Sequence, residues 1–367
     1  MTLPFTTLET QVMPKYLQMM GNAIFRSDYY VWNQLFKKAE TFNGNQFQIG
    51  VEYANLAEVQ DISASSLVAF KIEEFLTKAY DQQYTKTAPI TVTFDEMNTM
   101  NSPQAVEKIM TRKIKNVQRG FTQKLAGGLW KRVAKAASSA TETLARNTND
   151  WNNIYDIMYL TTTLHNVNPT DIATAGGAAA YWQPQQIDCS TVFQGCQTRE
   201  GLLGDTSSAS FVERIFDRII AYMKPWATSM SDIVIACGQS VFDGYAAALG
   251  DKRRYMTDDK VADQGFENIK KNGVLIVPDP FICYGQTSAN DNKDGWIAGI
   301  NMAELHLCLN SQAKFTMTEF VRPHNATYKV ALILAKGQIY TTNRRAMCLA
   351  YNMWTDREYS GTITQPT

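Results

Sequence analysis

The sequence predicts an α+β fold, and three features predict it. Residues 101–138 carry apolar side chains at Val106, Ile109, Met110, Ile114, Val117, Phe121, Leu125, Leu129 and Val133. That three-to-four spacing draws one continuous stripe down a long helix. Ahead of it lie two runs that alternate with the period of a half-buried strand: Phe47, Ile49, Val51 and Tyr53, then Ile90, Val92 and Phe94. Behind it, helical and strand-like segments alternate before giving way to strands alone, which implies an α/β body followed by antiparallel strands.

Each element has its own justification in chain order. Residues 1–42 read as an amphipathic, partly helical arm, with Leu8, Val12, Tyr16, Met19, Met20 and Ile24 followed by Val31, Trp32, Leu35 and Phe36. Such a segment needs a partner to cover it. Asn43-Gly44 marks a turn, and residues 43–98 form an extended loop whose two alternating runs are expected to be its outgoing and returning legs. A hairpin of that length buries little by itself, so a neighbouring molecule or the body of its own fold must hold it. Ser102 and Pro103 then suit a helix start, because a serine oxygen accepts a free first-turn N–H and proline has no N–H to leave unpaired.

Residues 99–150 are thus the helix and its surroundings, and residues 151–310 the α/β body. Within the body, residues 151–160 are predicted helical, and Ser210 with Glu213 forms a capping box ahead of a stripe ended by Pro225. Residues 232–237 and 274–278 are short buried strands, and 240–249 a helix between them. From residue 304 onward the pattern is β, with separate strands expected near 305–309, 315–319, 328–335, 338–342 and 346–351. Lys336-Gly337 is read as a hairpin turn in that series.

Composition removes several function classes. The chain has 367 residues, 35 basic and 35 acidic, so global charge argues for neither nucleic acid nor a membrane surface. Charged residues make up 19%, below the roughly 25% usual for soluble domains, and a weakly charged surface suits protein contacts. No apolar run approaches the about 18 residues needed to cross a bilayer, and the first ten residues lack a signal-peptide pattern. The six cysteines are scattered without the close pairs of a zinc site, so reduced structural thiols are expected. His165, in a polar loop, reads as a surface residue, and His306 alternates with Leu305 and Leu307 in a strand. No triad, metal spacing or phosphate loop is visible, so no enzyme activity and no cofactor are expected. The tryptophans read as core or interface anchors, and Arg344-Arg345 as a solvated strand end, an interface contact or an inward-facing charge.

The charge is local. The long helix carries Lys108, Arg112, Lys113, Lys115, Arg119, Lys124, Lys131 and Arg132 against one acid, Glu107. The extended loop carries Glu52, Glu58, Asp61, Glu73 and Glu74, with Asp81, Asp95 and Glu96 further on, against Lys71, Lys78 and Lys86. These two sets are the candidate functional residues: the extended loop is acidic where the helix is basic, and a negatively charged partner is expected beside the helix.

The order of parts resembles the major capsid protein of tailed bacteriophages, the Hong Kong 97-type fold, over nearly the whole chain. That family presents an N-terminal arm, an extended loop, a peripheral domain with a long spine helix, an α/β axial domain, and strands returning to the peripheral domain, here residues 311–367. Local stretches resemble one branch of it: WNNIYDIM at 151–158, AGG at 175–177 with Tyr181-Trp182, and DIVI at 232–235 with Tyr245 and Arg254. Gly265-Phe266 before VLIV at 274–277, and residues 315–323 before 337–345, continue the series.

The resemblance implies a subunit that assembles through hexamers and pentamers into an icosahedral or prolate shell around packaged double-stranded DNA. It implies a virion location, with synthesis and assembly in the host cytoplasm, and no membrane partner. The arm is short, so a separate scaffolding protein is expected beside portal and decoration proteins. The second reading, resting on the basic helix alone, is a nucleic-acid-binding regulatory or structural protein.

Overall fold

The computed structural model describes residues 29–44, 46–52, 76–94, 96, 103–130, 150–159, 164–165, 167, 182–203, 211–249, 268–282, 295–324 and 326–354. In order the main elements are α1 (Tyr30–Lys37), β1 (Glu40–Thr41), β2 (Gln46–Glu52), β3 (Leu76–Gln82), β4 (Tyr84–Thr93), α2 (Pro103–Leu129) and α3 (Ile154–Tyr159). Then come β5 (Gln185–Asp188), α4 (Phe211–Met223), β6 (Ile233–Cys237), α5 (Gln239–Leu249), β7 (Ile269–Lys271), β8 (Val274–Pro278) and β9 (Gly295–Asn301). The series ends with β10 (Leu305–Met317), β11 (Tyr328–Thr341) and β12 (Cys348–Met353).

Three sheets organise these strands: a four-stranded one in the order β1-β10-β11-β4, a six-stranded one in the order β5-β12-β9-β6-β8-β7, and the pair β2-β3. The six-stranded sheet separates two apolar cores, because side chains alternate faces along each strand. Val234, Ala236, Leu275, Val277, Ala298 and Ile300 face the core that also takes α1, α2 and α3. Ile233, Ile235, Cys237, Ile276 and Ile297 face the other, beneath α4 and α5. Strands buried on both faces read as continuous apolar runs, which is why IVIAC and VLIV stood out in the sequence.

The four-stranded sheet is joined to the long helix through a bulge. Register shifts on either side of Lys314 in β10, and Phe315 adopts φ 53°, a left-handed conformation that costs energy in a bulky residue. The kink turns Phe315 into the core, edge-on to Phe36 of α1 at 5.3 Å and to Phe121 of α2 at 5.8 Å. The expected strands at 305–309 and 315–319 are therefore one bent strand.

Several expectations are corrected. The return leg of the extended loop is β3, paired antiparallel with β2 from Gln46↔Gln82 to Glu52↔Leu76, whereas the 90–94 run belongs to β4 and pairs with β11. β3 escaped notice because its inward positions hold only Thr77, Ala79 and Asp81, too few apolar atoms for a periodic signal. Lys336-Gly337 is not a turn: β11 runs unbroken from Tyr328 to Thr341, and Gly337 lies opposite both Leu309 and Tyr84. Glycine is required there by close approach, since a Cβ would sit 2.5 Å from the Cys308 carbonyl oxygen. The last strand, β12, pairs with β5 and β9 in the six-stranded sheet, so the described residues after 310 are shared between both larger sheets, and residues 355–367 lie outside the described residues.

The end of the arm also differs from expectation. Val31, Trp32, Leu35 and Phe36 of α1 are buried in the chain's own main core, and β1 adds a parallel strand to β10. The cover that this apolar stretch needs comes from its own fold. Residues 1–28 lie outside the described residues, as do residues 168–181.

Candidate functional site

The long helix presents two opposed faces. Met110, Ile114, Phe121, Leu125 and Leu129 are buried against the core, as their spacing requires. Arg112, Lys115 and Arg119 are exposed, and their spacing of three and four residues stacks them on one stripe along the outer side of α2. Lys124 is exposed as well. Lys108 lies in register with that stripe, four residues before Arg112, although its side chain is outside the described residues, as are Lys131 and Arg132 altogether. The helix as described ends at Leu129, followed by the buried Trp130, and the expected continuation to 138 lies outside the described residues.

Lys113 stands apart from the stripe. Its ammonium donates to Glu96 Oε2 at 2.5 Å and to the Thr91 carbonyl at 3.0 Å, so it binds α2 to the end of β4. The Lys113 hydrogen bond, with a further one from the Thr93 N–H, holds the Glu96 carboxyl below the usual carboxylate range. One pair drawn from the acidic loop and the basic helix thus meets within a single chain.

The remaining acidic candidates are placed less fully. Glu52 ends β2, and its side chain is outside the described residues; Glu58, Asp61, Glu73 and Glu74 lie in residues 53–75, also outside them. What is described is the base of the hairpin. Phe47, Ile49 and Val51 of β2 and Ala79 of β3 form a third apolar cluster with Val167, Trp182, Cys308 and Tyr340. The hairpin therefore leaves the body from a small core of its own.

Beside that cluster lies a polar junction that the sequence did not reveal. Asp81 Oδ2 accepts from His165 Nδ1 at 2.6 Å and from Asn152 Nδ2 at 2.7 Å, while Oδ1 accepts from the Gln82 N–H at 2.7 Å and from Gln338 Nε2 at 3.3 Å. Burial pushes the Asp81 carboxyl upward, but the His165 bond and those from Gln82 and Asn152 outweigh it and hold it below its ordinary value. His165 is 5% exposed, which corrects its reading as a surface residue. Polar residues at inward positions, such as Gln338 just after Gly337, are the one signal that could have pointed here.

Arg344 is likewise corrected. It is fully buried rather than at a solvated strand end, with Nε donating to the Ile157 carbonyl at 3.0 Å and the guanidinium 5.9 Å from the Trp182 ring. Burial lowers its pKa to about 9, opposed by Asp156. Cys189, Cys196, Cys237, Cys308 and Cys348 are buried and form no disulfide among the described residues. Among the described residues, no cluster of three or more His, Cys, Asp or Glu side chains is arranged to hold a metal, and no helix is long and apolar enough to span a membrane.

No protein-family model matches the chain, and no curated protein matches it by sequence. Solved structures do match. The capsid asymmetric unit of cyanophage A-1(L) superposes with a TM-score of 0.57 at 12% identity, covering 89% of this chain and 93% of that one. The capsid of an empty GTA particle gives 0.50 at 9% identity over 87% and 96%, and that of a native GTA particle 0.50 at 10% identity over 87% and 90%. At such low identity the likeness speaks for architecture, and it extends over nearly the full length of both partners. The chain therefore has the α+β fold of phage-type capsid subunits, the Hong Kong 97-type fold.

Proposed function

We propose that this chain is the major capsid protein of a tailed double-stranded DNA phage. Copies assemble through rings of six and five into an icosahedral or prolate shell that encloses the genome, and the chain does no catalysis. The observation that carries this reading is the near-complete overlap, in both directions, with the cyanophage capsid subunit. A shared fold alone permits other uses. The capsid use is supported by a two-stranded hairpin standing apart from both larger sheets and by a cationic stripe opposite the buried face of α2.

In the shell, the β2-β3 hairpin with Glu52, Glu58, Asp61, Glu73 and Glu74 lies over a neighbouring subunit. Opposite charge steers the approach and apolar burial holds the contact. Lys108, Arg112, Lys115, Arg119, Lys124, Lys131 and Arg132 face that neighbour or the packaged DNA, whose phosphates they neutralise without reading bases. Lys113 contributes less to either target, because Glu96 already holds it. A separate scaffolding protein, a portal and decoration proteins complete the assembly, which takes place in the host cytoplasm. Electron microscopy of the purified chain tests the reading: shells, rings or sheets are expected, and a monodisperse small oligomer under all assembly conditions contradicts it.

A further inference from the structure

The hairpin base is held in two physically different ways. The apolar cluster of Phe47, Ile49, Val51 and Ala79 against Trp182 and Tyr340 resists separation, but burial is non-directional and tolerates sliding. Hydrogen bonds to a buried carboxylate are directional and short. Asp81 is the penultimate residue of β3, just before the chain enters β4, so it occupies the joint between the hairpin and the four-stranded sheet.

Its carboxylate collects donors from three segments remote in sequence: Asn152 ahead of α3, His165, and Gln338 near the C-terminal end of β11. Each of those partners is anchored in turn. Gln338 Oε1 accepts from the Asn152 backbone N–H at 2.6 Å, and Asn152 Nδ2 also donates to the Ile339 carbonyl at 2.9 Å, whereas the Tyr80 N–H, on β3 itself, donates to the His165 carbonyl at 2.9 Å and adds a second polar link between hairpin and frame. The Thr341 N–H reaches His165 Nε2 at 3.4 Å. The carboxylate thus links β3 of the hairpin to groups held by the body of the fold.

We propose that Asp81 is the positioning residue that clamps the extended hairpin to the body and keeps it in one orientation, with His165, Asn152 and Gln338 as the frame. A subunit that must lay its hairpin on a neighbour gains from a hairpin already aimed, because orientation lost in the free subunit must be recovered on binding. That consequence for assembly rests on the capsid reading. The clamp itself does not.

The test is hydrogen–deuterium exchange on the full-length unassembled chain. Asp81→Asn keeps the shape but replaces an acceptor with a donor facing donors, and loss of charge-assisted bonds of this kind accelerates local exchange about 10- to 100-fold. The expected result is that acceleration in residues 46–52 and 76–82, with β6 and β8 unchanged. A carboxylate that merely stabilises the whole chain would raise exchange in all segments together, and that result, or an unchanged hairpin, overturns the clamp. His165→Asn provides a second variant should the first fail to fold. It removes one donor while tolerating the left-handed backbone at φ 52°, and it should loosen the same two strands by a smaller factor. If the unaltered chain forms no shells, the capsid reading falls while the exchange result stands.

Discussion

Replacing Gly337 by alanine separates a glycine demanded by close packing from one that merely makes a turn. In β11 the added methyl would lie 2.5 Å from the Cys308 carbonyl oxygen, 2.8 Å from Leu309 Cδ2 and 3.4 Å from Trp151 Cζ2. The nearest of these is backbone, held in the ladder opposite Gly337, so no side-chain rotation relieves the overlap. Either β10 or β11 must shift, and Trp151, whose indole donates to the Tyr84 carbonyl at 2.7 Å, blocks one direction of movement. Inserted volume in a well-packed region costs about 1–3 kcal/mol, and the backbone contact puts this site at the upper end, about 3 kcal/mol. Gly120 is the internal control, because a Cβ there meets nothing within 4 Å and alanine is the better helix former by about 1 kcal/mol. Denaturant unfolding of the unassembled chain should show Gly337→Ala lowering stability by about 3 kcal/mol and Gly120→Ala raising it slightly. A loss below about 1 kcal/mol at Gly337 would refute the close-approach argument.

Two further predictions follow from buried and exposed charge. Asp279 is 2% exposed, and burial raises its carboxyl to about 7, opposed by the Phe281 N–H that Oδ1 accepts at 3.0 Å. The folded chain then holds a proton that the unfolded chain releases near pH ~4, so stability falls as pH rises between those values, by at most about 1.4 kcal/mol per pH unit. Asp279→Asn should flatten stability between pH ~4 and ~7, and an unchanged slope would show that another group titrates there. For DNA, neutralising Arg112, Lys115 and Arg119 together should reduce the log–log salt slope of binding by about 2.7, whereas Lys113→Gln should barely move it. An equal effect from Lys113 would mean that its bond to Glu96 yields to phosphate.

How much was legible in the sequence follows from the kind of signal each element leaves. The long helix, the β2 run and the doubly buried strands β6 and β8 were readable because burial on a fixed period writes itself into apolar spacing. β3 was not, since its inward face is made by a small alanine and a carboxylate. Gly337 deceived for a related reason: Lys-Gly flanked by alternating residues carries the same letters whether the chain turns or another strand passes close by. The bulge at Phe315 left no trace either, because no local glycine marks it and the rings it packs on, Phe36 and Phe121, are far away in sequence. At the candidate site, the cationic stripe of Arg112, Lys115 and Arg119 could be read directly. The junction of Asp81, Asn152, His165 and Gln338 spans more than 250 positions from Asp81 to Gln338, and only folding brings it together.

The most direct test of the central claim is a cryo-electron microscopy reconstruction of particles formed by the purified full-length chain. A closed shell is predicted, built from rings of six and five, with each β2-β3 hairpin resting on an adjacent subunit and the Arg112, Lys115 and Arg119 stripe turned toward a neighbour or the interior. Shells in which Glu58, Asp61, Glu73 and Glu74 of the hairpin touch no neighbouring subunit and that stripe faces outside solvent would contradict the assembly mechanism. The absence of any ordered assembly would contradict the function itself.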